Sequence, residues 1–135
     1  MRKVLFILSI AIPAFCAAQQ PAKQDSAVIV FKNVTKDTLT MVRAVIKGQD
    51  VITINLKPNE EYSQTISTTC VAPDCQITYR FEIKKSDGSY GVLTNDDYKA
   101  MVGNIDITTG TYKYSIGWGK NPVEQWPNIK LEKVN

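Results

Sequence analysis

The chain has 135 residues, with 16 Lys and Arg against 13 Asp and Glu, no histidine and 44% apolar residues. Charges of both signs are interspersed without a basic run, so counter-ion release offers no hold on nucleic acid. The missing histidine excludes Ser–His–Asp and Cys–His catalysis and every His-ligated metal site.

The start, MRKVLFILSIAIPAFCAAQQ, reads as an export signal over residues 1–18. Arg2 and Lys3 form the basic head, and the apolar run from Val4 to Ile12 is shorter than the roughly 20 residues a bilayer requires. Ala17 and Ala18 provide a peptidase site before Gln19. Acylation of Cys16 is the minor alternative, since Pro13 and Phe15 stand where a lipidation signal prefers Leu and a small residue. An exported chain is expected, periplasmic or extracellular, with no transmembrane segment in its mature form. Loss of Arg2 and Lys3 leaves 14 basic against 13 acidic residues, so the basic balance belongs to the leader.

Residues 19–26 are polar and read as a flexible lead-in, and 27–135 as a single domain. Residues 27–33 (AVIVFKN) open it as a β-branched strand. In 38–47 (TLTMVRAVIK) the apolar phase shifts between Leu39/Met41 and Val42/Ala44/Ile46, which predicts a bulge or a change of sheet. A turn at Gly48-Gln49-Asp50 leads into 51–56, where Ile52, Ile54 and Leu56 are expected to share a face. Lys57-Pro58-Asn59-Glu60 is a turn by its chemistry. Tyr62 and Ile66 carry the inward face of 60–67.

Cys70 and Cys75 follow, separated by VAPD. In an oxidising compartment two such thiols pair, and the spacing suits neither a redox CxxC site nor a closed zinc site. A short structural disulfide is expected there. The clearest strand comes next: Ile77, Tyr79, Phe81 and Ile83 alternate with Thr78, Arg80, Glu82 and Lys84, one face in a core and one in water. Ser86-Asp87-Gly88 turns into a short strand at 89–93. Residues 94–103 (TNDDYKAMVG) predict one helical turn capped by Asn95 or Asp96. Residues 104–108 and 111–118 read as a hairpin through Thr109-Gly110, with Tyr112, Tyr114, Ile116 and Trp118 in phase. A last strand at 128–134 turns Ile129 and Leu131 inward.

Eight or nine short strands without crossover helices predict an all-β fold with antiparallel sheets, as a sandwich in preference to a closed barrel. The succession of strands and polar turns around INLKPNEEYS resembles, at the level of pattern, the small immunoglobulin-like sandwiches of exported bacterial proteins. That resemblance implies a fold. It carries no functional residues, because no tryptophan sits between an inter-sheet cysteine pair.

Chemistry is sparse. Asp96-Asp97 reads as a cap and Glu60-Glu61 as solvated surface, and the scattered glycines build no phosphate loop. Asn33-Val34-Thr35 has the form of a glycosylation acceptor but reads as a strand-end turn. No cofactor, metal or catalytic residue is expected. In GWGKNPVEQWPNIK (117–130), the one segment whose composition points to contact, Trp118 reads as the end of a core face and Trp126 as an exposed contact residue. The expectation is a non-catalytic domain that binds a protein partner, as an inhibitor, an immunity-type protein or an accessory subunit. The alternative is a carbohydrate- or small-ligand-binding module using Trp126 and neighbouring polar side chains.

Overall fold

The computed structural model describes residues 25–69, 79–119 and 126–135. The leader, Cys16 and the Cys70–Cys75 pair lie outside the described residues. Eight strands and one helix follow in order: β1 (Ser26–Asn33), β2 (Leu39–Ile46), β3 (Gln49–Leu56), β4 (Glu61–Ser67), β5 (Arg80–Lys85), β6 (Tyr90–Leu93), α1 (Asn95–Val102), β7 (Gly110–Trp118) and β8 (Pro127–Lys133). They form two four-stranded sheets, ordered β4-β1-β7-β8 and β3-β2-β5-β6. The result is a sandwich, and no closed barrel forms.

Alternation builds both inner faces. Ala27, Ile29 and Phe31 of β1, with Tyr112, Tyr114 and Ile116 of β7, meet Val42, Ala44, Ile46, Phe81 and Ile83 of the second sheet in one core. The rings of Phe31, Phe81 and Tyr114 approach one another at tilted and edge-on angles, with centroids 5.1–6.2 Å apart, as aromatic quadrupoles favour.

The order β3-β2-β5-β6, with β1 beside β4, is that of the C′-C-F-G sheet and the B/E pair of an immunoglobulin-type sandwich. The other edge differs. β7 occupies the place beside β1 and runs parallel to it, Phe31 opposite Tyr114, where wholly antiparallel sheets were expected. Nor does β7 form a hairpin with 104–108, which has no regular structure; its antiparallel partner is β8. Strand pairing of this range is not written in local periodicity.

β2 does carry a register irregularity against β5, but one step earlier than expected: it falls between Leu39 and Met41, so Leu39 is buried while Met41 turns to the outer face. Its counterpart in β3 corrects a second expectation. Val51 is the inward residue, while Ile52 and Ile54 face solvent. Asn55 then takes a left-handed conformation, φ 52°, and returns Leu56 to the core opposite Leu39. Asparagine tolerates that region better than most residues. The β2–β3 turn is Lys47-Gly48, both at positive φ, one residue earlier than expected and of the kind that two-residue hairpins prefer.

Helix α1 runs two turns rather than one, and its cap is Thr94. The Thr94 hydroxyl accepts from the Asp97 N–H, and Asp97 Oδ2 accepts from the Thr94 N–H at 2.8 Å. That reciprocal box satisfies donors which Asn95 or Asp96 would have left open. Side chains close one lateral seam of the sandwich. The Gln49 amide donates to the Ser67 carbonyl and accepts from the Ser67 N–H, at 2.6 and 3.0 Å, standing in for a strand between β3 and β4.

Candidate functional site

Trp118 ends β7 opposite Pro127 of β8. It is half-buried and packs against the core, near the core placement expected for it. Trp126 precedes β8 and is 47% exposed, its carbonyl accepting from the Gly119 N–H at 2.9 Å. The β7/β8 register therefore brings both tryptophans to one end of the sandwich.

There, Val34 to Asp37, Lys85, Gly117 to Gly119 and Asn128 line a cleft of about 590 Å³. Its lining includes Lys85, which the sequence reading did not single out. Its side chain is 11% exposed, with the ammonium 3.1 Å from Asp37 Oδ2 and 3.4 Å from Asp87 Oδ2. The same ammonium lies 5.1 Å from the Trp118 ring centroid. Burial penalises the charge, but the two carboxylates outweigh it and raise the ammonium's pKa. The signal was available: Lys85 is in phase with Tyr79, Phe81 and Ile83. With one ammonium held between two carboxylates and a ring face, the cleft offers binding contacts.

The acceptor-like triplet is resolved by geometry. Asn33 is fully buried. Its amide donates to the carbonyls of Asp37 and Leu56 and accepts from the Thr35 N–H and hydroxyl. Both amide hydrogens are committed, so the residue acts as the strand-end turn the sequence reading favoured. The Asp97 carboxylate is likewise committed to the helix cap. Among the described residues no group of three or more acidic or thiol side chains is placed to hold a metal, and no helix is long and apolar enough to cross a membrane.

The outer faces of the two sheets differ in kind. On β4-β1-β7-β8, cross-strand rows read Glu61–Lys32–Ser115–Lys130 and Ser63–Val30–Lys113–Glu132, followed by Thr65–Val28–Thr111. Val30 is only 9% exposed, and Lys113 pairs with Glu61 at 2.8 Å. Hydroxyls and charges therefore make up most of what meets the solvent, with Val28 part-buried among them.

On β3-β2-β5-β6 the rows read Ile54–Met41–Lys84–Tyr90 and Ile52–Arg43–Glu82–Val92, then Asp50–Val45–Arg80. Ile52, Ile54 and Tyr90 are 47%, 67% and 48% exposed. The charges among them are satisfied within the sheet, Arg43 by Asp50 and Arg80 by Glu82, each at 3.0 Å. Lys84 lies over the Tyr90 ring. Sequence reasoning missed this face because it turned Ile52 and Ile54 inward.

No protein-family model matches the chain, and no curated protein does. Among solved structures it is similar to the NMR structure of a protein from Eubacterium rectale, with a TM-score of 0.53 and 7% identity, over 82% of this chain and 91% of that one. At that identity the likeness is one of fold.

Proposed function

We propose that the protein is an exported, non-catalytic binding domain that engages a protein partner, in the cell envelope or outside the cell, through the outer face of β3-β2-β5-β6. The observation that carries this reading is the contrast between the two sheets of one molecule. One outer face is mostly hydroxyl and charge around the part-buried Val28 and the buried Val30; the other exposes Ile52, Ile54 and Tyr90 with the part-buried Met41, Val45 and Val92 between them. Apolar side chains grouped on one surface mark a contact site, and Tyr, Met and Arg are the types enriched in interfaces. Because Arg43, Arg80 and Glu82 already have partners in the sheet, the face suits a predominantly apolar surface more than an oppositely charged one. The absence of histidine from the chain supports a role without acid–base chemistry.

A second reading is favoured by the exposure of Trp126 beside the cleft lined by Thr35, Asp37, Lys85 and Asn128. It is recognition of a neutral glycan by stacking and hydrogen bonds.

One set of variants separates the two. Cross-linked capture from native extract is compared for the protein, Ile54→Lys, Trp126→Ala and, on the other sheet, Thr65→Lys. The sheet reading expects a partner retained by Trp126→Ala and Thr65→Lys and weakened at least tenfold by Ile54→Lys, about 1.4 kcal/mol or more. Equal retention by Ile54→Lys overturns it. Retention on polysaccharide that Trp126→Ala abolishes establishes the glycan reading.

A further inference from the structure

At the end of the sandwich away from Trp118, a separate cleft of about 320 Å³ lies between the β2–β3 turn, α1 and the irregular segment 103–109. Its lining includes Lys47, Tyr79, Tyr98, Lys99, Ile105 and Asp106. The floor is aromatic. Tyr79 and Tyr98 stack with centroids 4.3 Å apart and ring planes 4° from parallel. The Tyr98 hydroxyl is anchored at 2.8 Å to that of Tyr114 in the core. Ile105, 41% exposed, stands among the lining residues.

The charged groups are unequal partners. The Lys47 side chain is 10% exposed and its ammonium lies 3.2 Å from Asp106 Oδ1, while the Asp106 side chain is 72% exposed. A buried ammonium is costly without an anion beside it. An exposed carboxylate gains little from such a pair, because water solvates it nearly as well. Lys47 therefore requires an anion, and Asp106, on a segment with no strand or helix to hold it, is an exchangeable one. Lys47 and Lys99 outnumber Asp106 in the lining, so an added anion completes the charge balance.

We infer that this cleft binds small organic monocarboxylates with an apolar tail, and that Asp106 is the resident stand-in for the ligand's carboxylate. The incoming group takes the place of Asp106 on Lys47 and lays its tail against Tyr79 and Ile105. The volume lies at the lower end for ligand sites, which suits a short acid or one chain end and excludes a long peptide segment. This inference is independent of the partner surface on β3-β2-β5-β6.

The test is titration of the isotope-labelled protein, followed by amide resonances, with three probes: hexanoate, its neutral isostere hexanamide, and N-acetylleucine as the mimic of a peptide C-terminus. Hexanoate or N-acetylleucine is expected to shift the amides of Lys47, Ile105 and Asp106, and the stronger of the two identifies a free acid or a chain end as the source. Hexanamide is expected to leave them in place. Asp106→Asn, which removes the internal competitor for a mostly buried ammonium, is expected to bind the acid several-fold more tightly. Lys47→Met, which keeps the buried stem, is expected to abolish binding. Binding of hexanamide as tight as hexanoate overturns the inference, as does weaker binding by Asp106→Asn. So does the absence of shifts at millimolar acid in both the unaltered protein and Asp106→Asn. The comparison of acid with amide needs no variant, so a folding defect in either substitution leaves the test intact.

Discussion

Asn33 shows how much one side chain can hold. Fully buried at the end of β1, its amide joins that strand to the 34–37 turn and, through the Leu56 carbonyl at 2.9 Å, to the end of β3 in the opposite sheet. Replacing it with alanine leaves the buried Leu56 carbonyl without this donor and takes from the 34–37 turn the amide that holds Asp37 and Thr35, although the Asp37 carbonyl keeps the Thr35 hydroxyl. Asn33→Ala is expected to lower unfolding free energy by about 2–4 kcal/mol, read from urea denaturation at constant slope. Asn33→Asp is expected to be no better, since a carboxylate cannot donate to those two carbonyls. An asparagine before a turn was legible in the sequence. Its burial was not, because turn chemistry looks the same whether the side chain caps its own loop or reaches across the sandwich. Asn55 hid for a similar reason: only its positive φ shows that Ile52 and Ile54 part company with Leu56.

Among the elements, β5 and β7 were readable because one apolar face alternates with a polar one over several residues, and β1 because of its unbroken β-branched run. The short β6 is held differently. Gly91 sits where an added Cβ would come 2.3 Å from Pro127 Cδ and 3.4 Å from the Trp118 ring. The lack of a side chain lets β6 approach β8 and closes the second lateral seam. Gly91→Ala is expected to force the strands apart and destabilise the fold by about 1–3 kcal/mol, seen as a lower urea midpoint. Gly88→Ala, in a turn with open space around it but at φ 89°, carries backbone strain without that clash. Helix α1 illustrates the limit of pattern reading. TNDD contains several good caps, and only the closing of the Thr94–Asp97 box selects one.

Across the molecule, ionisable groups set a window of stability. The carboxyls of Glu61, Asp87 and Asp97 are held below their ordinary values. The first is hydrogen-bonded by Lys113, the second by Ser89 and the third by the Thr94 N–H and hydroxyl. Their contribution is complete above the unfolded values near pH 4 and is lost as pH falls through the lower folded values. Burial raises the hydroxyls of Tyr98 and Tyr114, and the carboxylates around Lys85 raise its ammonium. Those contributions are complete below about pH 10 and decline as pH climbs through the folded values. Tyr112 opposes them: burial pushes its hydroxyl up, but Thr108 and Lys133 outweigh that and lower it. Urea midpoints are expected to be level between about pH 5 and 9 and to drop on both sides. On the alkaline side the tyrosinate absorbance of Tyr98 and Tyr114 should rise together with loss of structure, and titration of all six tyrosines before any unfolding would contradict it.

The side-by-side run of β1 and β7 also governs the order in which the molecule can assemble. β1 is the first of the described strands, yet it lies in the middle of its sheet, between β4 and a strand that ends at Trp118. A nascent chain can zip β1 to β4 early, but the other flank of β1 stays bare until most of the polypeptide has emerged. Such long-range closure is slow, on the order of milliseconds to seconds for β-rich domains. In that interval the uncovered edge is the one most in need of a chaperone's shelter.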